Sequence, residues 1–192
     1  MTSFDLIGSV IKCSSTLRDL GVILDPSLTM RPQVSKLCQS VFFQLRQFRR
    51  IRKSLSRRTS EQLIHAIVTS RLDYCNSIYY GLPTNVIIRL QAVLNAAARL
   101  VTGGRRFDHV TPILKSLHWL PYPQRIQFKV CLTTYKCLHG LSPAYLTSYC
   151  QPVSSIPGRA SLRSSFHGES IEPRKITKTF GPRSFSFDGP RE

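Results

Sequence analysis

The sequence predicts a mainly α fold: a helical bundle with a small N-terminal β hairpin and an irregular basic C-terminal tail. Three observations carry that expectation. From about residue 32 to residue 138, apolar side chains recur every three or four positions in successive windows separated by Pro or Gly. The first 28 residues instead hold short apolar runs broken by turn residues, and residues 151–192 are rich in Ser, Pro, Gly and Arg with no sustained period. The expected domains are therefore 1–28 as a β hairpin, 29–150 as the helical body and 151–192 as a flexible or extended tail. With 192 residues, 42% of them hydrophobic, the chain has enough apolar surface for one core.

In the hairpin, Leu6 to Ile11 and Leu17 to Leu24 are candidate strands around a Cys13-Ser14-Ser15 turn, and Gly21 permits a bulge or a close backbone approach. The first helix is expected from Pro32 to Arg52, since proline is tolerated in a first turn. Val34, Leu37, Cys38, Val41, Phe42, Leu45 and Phe48 form its burying face. Lys36, Phe43, Arg46 and Arg50 project from the other side, with Arg49 and Lys53 at its margin. An aromatic ring framed by cations suits a nucleic-acid strand, because the ring stacks on a base while its neighbours neutralise phosphates. The alternative is that Phe43 packs on another helix and the arginines are solvated.

Arg57 and Arg58 prolong the basic run, and Thr59-x-x-Gln62 offers a capping box for a second helix extending to Tyr79. Ile64, Ile67, Val68, Leu72, Cys75 and Tyr79 supply its apolar stripe, with His65, Thr69, Asp73 and Asn76 opposite. Arg71 falls in the apolar arc, where it must snorkel, pair with an acid or meet a phosphate. A third helix, Asn85 to Val101, has Thr84 or Asn85 as a cap and Gly103-Gly104 as a stop; Arg105 and Arg106 then extend the positive surface. Thr111-Pro112 starts a short helix through Leu117, beside which Trp119 is expected as a core anchor. The next helix, Gln124 to Leu138, carries Phe128, Cys131, Leu132, Tyr135 and Leu138 on one side and Ile126, Val130 and Cys137 on another, so burial between neighbours is expected. Ser142-Pro143 opens one more short turn. In the tail, Phe166, Phe180, Phe185 and Phe187 are candidates for local docking.

Charge narrows the class of partner. Lys and Arg number 27 against 10 Asp and Glu, a net charge of +17 with a pI near 10.3, which fits a polyanionic partner such as nucleic acid (RNA, DNA or an RNA/DNA hybrid), the alternatives being a solvated basic surface or anionic lipid. The six cysteines contain no C-x-x-C spacing, so no zinc template is present, and free thiols in a reducing, intracellular compartment (cytoplasm or nucleus) are expected. No signal peptide is read at the N-terminus, and no apolar run reaches membrane-spanning length, so no membrane partner is expected. The five histidines are scattered, and H-E-x-x-H, G-x-S-x-G and P-loop patterns are all missing. No cofactor is implied.

The runs LRDLGVILDPSL (17–28), SRLDYCNSIYYGLP (70–83), LQAVLNAAARLVTG (90–103), FDHVTPILKSLHWLP (107–121) and RIQFKVCLTTYKCLHGLSPAYL (125–146) resemble the C-terminal region of non-LTR, LINE-type retrotransposon reverse transcriptases. The resemblance implies a thumb-like helical domain downstream of the polymerase palm, with the hairpin as a remnant of the palm or primer-grip region. That family's chemistry uses an adjacent Asp pair to hold two metal ions. Here the six aspartates, Asp5, Asp19, Asp25, Asp73, Asp108 and Asp188, are never adjacent. No catalytic or metal-binding residue is therefore expected. The tail resembles the family through KTFGPRSFS (178–186) but departs from it at Phe187, so the ending reads as a truncation or frame change.

The expected function is sequence-independent binding of template and primer backbone through Phe43, Arg46, Arg49, Arg50, Lys53, Arg57, Arg58, Arg71, Arg105 and Arg106. The alternatives are a polymerase piece active only with a palm domain encoded elsewhere, and an open-reading-frame fossil without a role.

Overall fold

Residues 3–6, 9–12, 14–153, 171 and 183–189 are described in the computed structural model. Among the described residues the fold is mainly α, and the four strands lie in the N-terminal region. Strand β1 (Ser3–Leu6) pairs antiparallel with β2 (Ser9–Lys12), and β3 (Leu17–Asp19) pairs with β4 (Val22–Leu24). This corrects the expectation of one hairpin turned at Cys13-Ser14-Ser15. Leu20 and Gly21 have φ of 44° and 84°, and two positive φ values make the tight turn whose twist matches that of its flanking strands. Gly21 is thus a turn residue rather than a bulge. Val22 is buried, and Ile23 N–H donates to Gln33 Oε1 at 2.9 Å, fastening the second hairpin to the first helix.

The connection into that helix is organised by Asp25. Its Oδ2 accepts from the Thr29 backbone and hydroxyl, and its Oδ1 accepts from Met30 N–H, all at 2.9 Å. Burial acts to raise the carboxyl pKa, but these hydrogen bonds outweigh it and hold the group below its ordinary value. Helix α1 (Arg31–Ile51) follows, with proline in its first turn and Val34, Cys38, Val41, Leu45 and Phe48 buried. Phe42, expected in the core, is 39% exposed.

After a 3-10 turn at Arg52–Ser54, α2 (Arg57–Ile64) begins one turn earlier than the Thr59 cap predicted. Ser56 is the cap, and its hydroxyl accepts from Thr59 N–H at 3.1 Å. The helix then widens into a π turn at His65–Thr69, tightens again as α3 (Ser70–Asp73), breaks at Cys75 with φ 51° and closes with a 3-10 turn at Asn76–Tyr79. One unbroken helix to Tyr79 had been expected. The π turn has more residues per turn than an α helix, so Ile64, Val68 and Leu72, spaced by four, come into line and are all fully buried. Arg71, one residue or about 100° away, is thereby turned outward. The break at Cys75 rotates Asn76 inward, to 3% exposure, against the expectation that it faced solvent.

Helix α4 (Thr84–Thr102) is the central element, burying Val86, Ile87, Leu90, Val93, Leu94, Ala97, Ala98 and Val101. Pro83 precedes it in place of a Thr84 or Asn85 side-chain cap, and Gly103, at φ 75°, ends it as expected. Helices α5 (Val110–Ser116), α6 (Tyr122–Leu138) and α7 (Ala144–Thr147) complete the body. Trp119 is buried, with its ring edge-on to His65. Tyr122 is fully buried between layers: its backbone N–H meets Gln91 Oε1 at 2.6 Å and its hydroxyl donates to Leu72 O at 2.9 Å. Burial pushes the Tyr122 phenol far above its ordinary range and that of Tyr79 up to about 12. Helix α6 buries only one of its two apolar sides, through Ile126, Val130 and Cys137, and leaves Phe128, Tyr135 and Leu138 exposed.

Residues 183–189 lie against this body. Arg183 donates to Tyr80 O and Leu28 O, α8 (Phe185–Asp188) buries Phe187, and the Thr134 hydroxyl donates to Gly189 O at 3.1 Å. The expectation of a flexible or extended tail over 154–170, 172–182 and 190–192, including Phe166 and Phe180, lies outside the described residues. Among the described residues, no helix is long and apolar enough to cross a membrane.

Helices α1 and α4 run parallel. Near their starts, Arg89 Nη1 donates to Ser35 Oγ at 3.1 Å. At their ends, Arg52 donates from Nε to Leu100 O at 3.0 Å and from Nη2 to Val101 O at 2.6 Å, while Nη1 meets Leu55 O at 3.1 Å. These carbonyls lie in the last turn of α4, where helix acceptors lack intrahelical donors and attract positive charge. Arg52→Ala is expected to lower stability by about 2 kcal/mol, and Arg52→Lys, which keeps charge without the fork, by about half that, read by urea denaturation. Asp25 adds a pH dependence. Because its folded pKa lies below the unfolded value near 3.9, its contribution is complete above about pH 4 and is lost as pH falls through the folded value. The stability difference between the wild type and Asp25→Ala should shrink accordingly in acid denaturation curves.

Candidate nucleic-acid interface

The outer face of α1 presents Phe43, Arg46 and Arg50 along one strip, with Arg49 beside it; all are exposed, Phe43 by 55%. This geometry follows from the opposite face: with Val34, Cys38, Val41, Leu45 and Phe48 in the core, residues half a turn away must point outward. The exposed Phe42 lies next to Phe43 and widens the aromatic surface. Sequence periodicity missed it because it sits at the edge of the apolar arc, where tertiary packing decides burial.

Beyond Ile51 the chain divides its cations. Arg52 turns inward to the α4 carbonyls, while Lys53, Arg57 and Arg58 remain exposed. Arg57 is partly neutralised by Glu61, Nε to Oε1 3.0 Å, one turn along α2. That surface pair offsets the unfavourable position of a cation at a helix N-terminus. Arg105 and Arg106 follow α4 in an exposed loop. Arg105 N–H donates to Asp108 Oδ2 at 2.6 Å, and the Arg106 guanidinium stands 5.7 Å from the centre of the Phe107 ring, itself 88% exposed. Because Arg52 joins the parallel ends of α1 and α4, this loop emerges at the same end of the molecule as Arg49, Lys53, Arg57 and Arg58. The only sequence signal for Phe107 as a further contact was its place directly after two arginines.

Arg71 reaches this surface from α3. Its Nη1 donates to Ser40 Oγ at 2.8 Å, and the Gln44 amide, oriented with its oxygen toward the guanidinium, accepts from Nη1 and Nη2 at 3.1 and 3.0 Å. It neither snorkels from the core nor pairs with an acid. Two neutral partners, Ser40 and Gln44, hold it against α1. The sequence-derived residues thus form an α1 strip, with Arg71 on its flank, that runs into a basic end. Among the described residues, the only ion pair these cations make is Arg57 with Glu61.

Other chemistry finds less support. Among the described residues no group of three or more His, Cys, Asp or Glu side chains could hold a metal ion. Cys38, Cys75, Cys137 and Cys150 form no disulfide. Burial pushes the Cys38 thiol up and that of Cys150, beside Cys137, to about 11, the opposite of what activates a nucleophilic cysteine. No protein-family model matches the chain, and no curated protein or solved structure is significantly similar to it.

The bonds of Arg71 to neutral, partly exposed groups predict a small structural contribution. Arg71→Ala should change unfolding stability by less than about 1 kcal/mol in urea, in contrast to Arg52→Ala. A larger loss would assign Arg71 to the scaffold and remove it from the interface.

Proposed function

We propose that this chain is a non-catalytic nucleic-acid-binding module, derived from the thumb-like region of a LINE-type reverse transcriptase, that grips an RNA, DNA or RNA/DNA hybrid backbone without reading sequence. The observation that carries the reading is the outer face of α1, where an exposed Phe43 is flanked by cations with no acidic partner among the described residues. Such a surface supplies phosphate neutralisation and a sequence-tolerant stacking platform together. Catalysis is left out because two-metal phosphoryl chemistry needs clustered carboxylates, and the six aspartates are dispersed along the chain.

A second reading, in which the chain works joined to a palm supplied by another polypeptide, is favoured by the β3–β4 hairpin, where Leu17 and Leu20 are 65% and 80% exposed. Incorporation of nucleotides on adding a separate palm polypeptide, with none from either piece alone, would favour this reading over the first.

Each phosphate contact releases condensed counterions, so the log–log slope of affinity against salt counts contacts at about 0.7 to 0.9 per phosphate. Replacing Arg46, Arg49 and Arg50 together with alanine should flatten that slope by about two units, measured by fluorescence anisotropy on labelled single strands. Phe43→Ala should leave the slope unchanged yet weaken single strands by about 1 kcal/mol or more, with a smaller effect on duplex. Equal affinity of the wild type and the triple variant at low salt would refute the interface. Metal-dependent primer extension by the isolated chain would refute the assignment as non-catalytic.

A further inference from the structure

Helix α6 carries a second arrangement of rings and cations, on residues that the α1 strip does not use. With Ile126, Val130, Thr134 and Cys137 buried, the opposite side of the helix faces solvent. On that side Phe128 is 58% and Tyr135 54% exposed. The two are seven residues apart, so they lie within about 20° of one line and about 10.5 Å apart along the axis. Each is followed directly by an exposed lysine, Lys129 and Lys136. The same step therefore sets a row of two cations about 100° around the helix from the rings. The Tyr135 ring also stacks on His139, with centroids 4.0 Å apart and planes inclined by 27°, which carries the aromatic line past the end of the helix.

Charge decides what this face would meet. Helix α6 holds three cations, Arg125, Lys129 and Lys136, and no Asp or Glu. Arg125 is taken by Asp73 at 2.8 Å, and among the described residues neither lysine makes an ion pair. A second copy would bring the same uncompensated row and a net charge of +17 toward this one, which opposes self-association across the face. A nucleic-acid strand is complementary on both counts: its phosphates neutralise the lysine row, and its bases lie on the rings, whose stacking is open to any base. We infer that the outer face of α6 is a second binding site for single-stranded nucleic acid, with Phe128 and Tyr135 as stacking platforms and Lys129 and Lys136 as phosphate contacts. The class of ligand rests on the proposed nucleic-acid reading. The face shares no residue with the α1 strip, however, so the two sites stand or fall separately.

Labelled oligo(dT), titrated with the full chain and followed by fluorescence anisotropy over a series of salt concentrations, tests the assignment. Replacing Lys129 and Lys136 together with alanine should flatten the log–log salt slope by about 1.4 units, about 0.7 for each phosphate contact. An equal loss of charge at Arg18 and Lys115, both exposed and on other elements, should leave the slope unchanged. An equal drop in that control would reduce the two lysines to general charge and overturn their role. Phe128→Ala with Tyr135→Ala should weaken binding by about tenfold or more at an unchanged slope, and Tyr135→Phe, which keeps the ring, should bind as the wild type does. These four side chains are exposed, so every variant should keep its circular dichroism spectrum. Wild-type affinity and slope in both α6 variants would overturn the site and leave the α1 strip untouched. Loss of affinity in the α6 variants, with none in the Arg46/Arg49/Arg50 variant, would support the site and remove the α1 strip instead. A dimer in sedimentation that the ring variant converts to monomer, with oligo(dT) affinity kept, would give the face to a second copy and end the assignment.

Discussion

Two parallel helices ending side by side set the central constraint of this fold. The last-turn carbonyls of α4 and the end of α1 gather partial negative charge in one place, and the backbone N–H groups of Gly103 and Gly104 meet Arg99 O rather than Leu100 O or Val101 O. Arg52 does so, its guanidinium fork bridging Leu100 O and Val101 O from the end of the neighbouring helix. Arg99, in the last turn of α4, reaches onward to Asp108 O and steadies the loop that follows. Part of the cationic density at this end is therefore structural. The distinction between the scaffold and the interface lies in which cations point inward to carbonyls and which, like Arg46, Lys53 and Arg58, remain in solvent.

The π turn at His65–Thr69 links core packing to surface chemistry. With regular α geometry, burial of Ile64, Val68 and Leu72 would drift around the helix and draw Arg71 toward the apolar layer. Widening one turn realigns the three apolar residues and moves Arg71 to Ser40 and Gln44 on α1. A single local irregularity thus keeps a charge out of the core and adds an exposed one on the flank of α1. The same segment ends in the Cys75 break, which carries Asn76 inward.

How much of this was legible in the sequence depends on the range of the forces involved. The helices themselves followed from apolar spacing, and the Gly103 terminator from its backbone freedom, because both are local properties. The exposure of Phe43, Arg46 and Arg50 was legible for the same reason: a core face on a long helix fixes the opposite face. Less legible were features decided by small differences or by distant partners. Ser56 prevailed over Thr59 as the cap of α2, Leu20 and Gly21 turned a hairpin that composition alone placed elsewhere, and α6 leaves Phe128, Tyr135 and Leu138 exposed. The inward turn of Asn76 could not be read either, because it follows from the backbone break at Cys75.

The placement of acidic side chains explains why so much positive charge is left without neutralisation. Asp25 organises the entry to α1, Asp108 accepts from Arg105 N–H in the loop after α4, Glu61 offsets a misplaced cation at the start of α2, and Asp73 pairs with Arg125. Each of these carboxylates is engaged elsewhere, and none of the four pairs with a cation on the outer face of α1. Pairing with the exposed arginines would require releasing a turn or a helix start, which costs more than a surface ion pair returns. The cations on α1 therefore stay available in the folded state, and a mobile polyanion neutralises them without disturbing the scaffold.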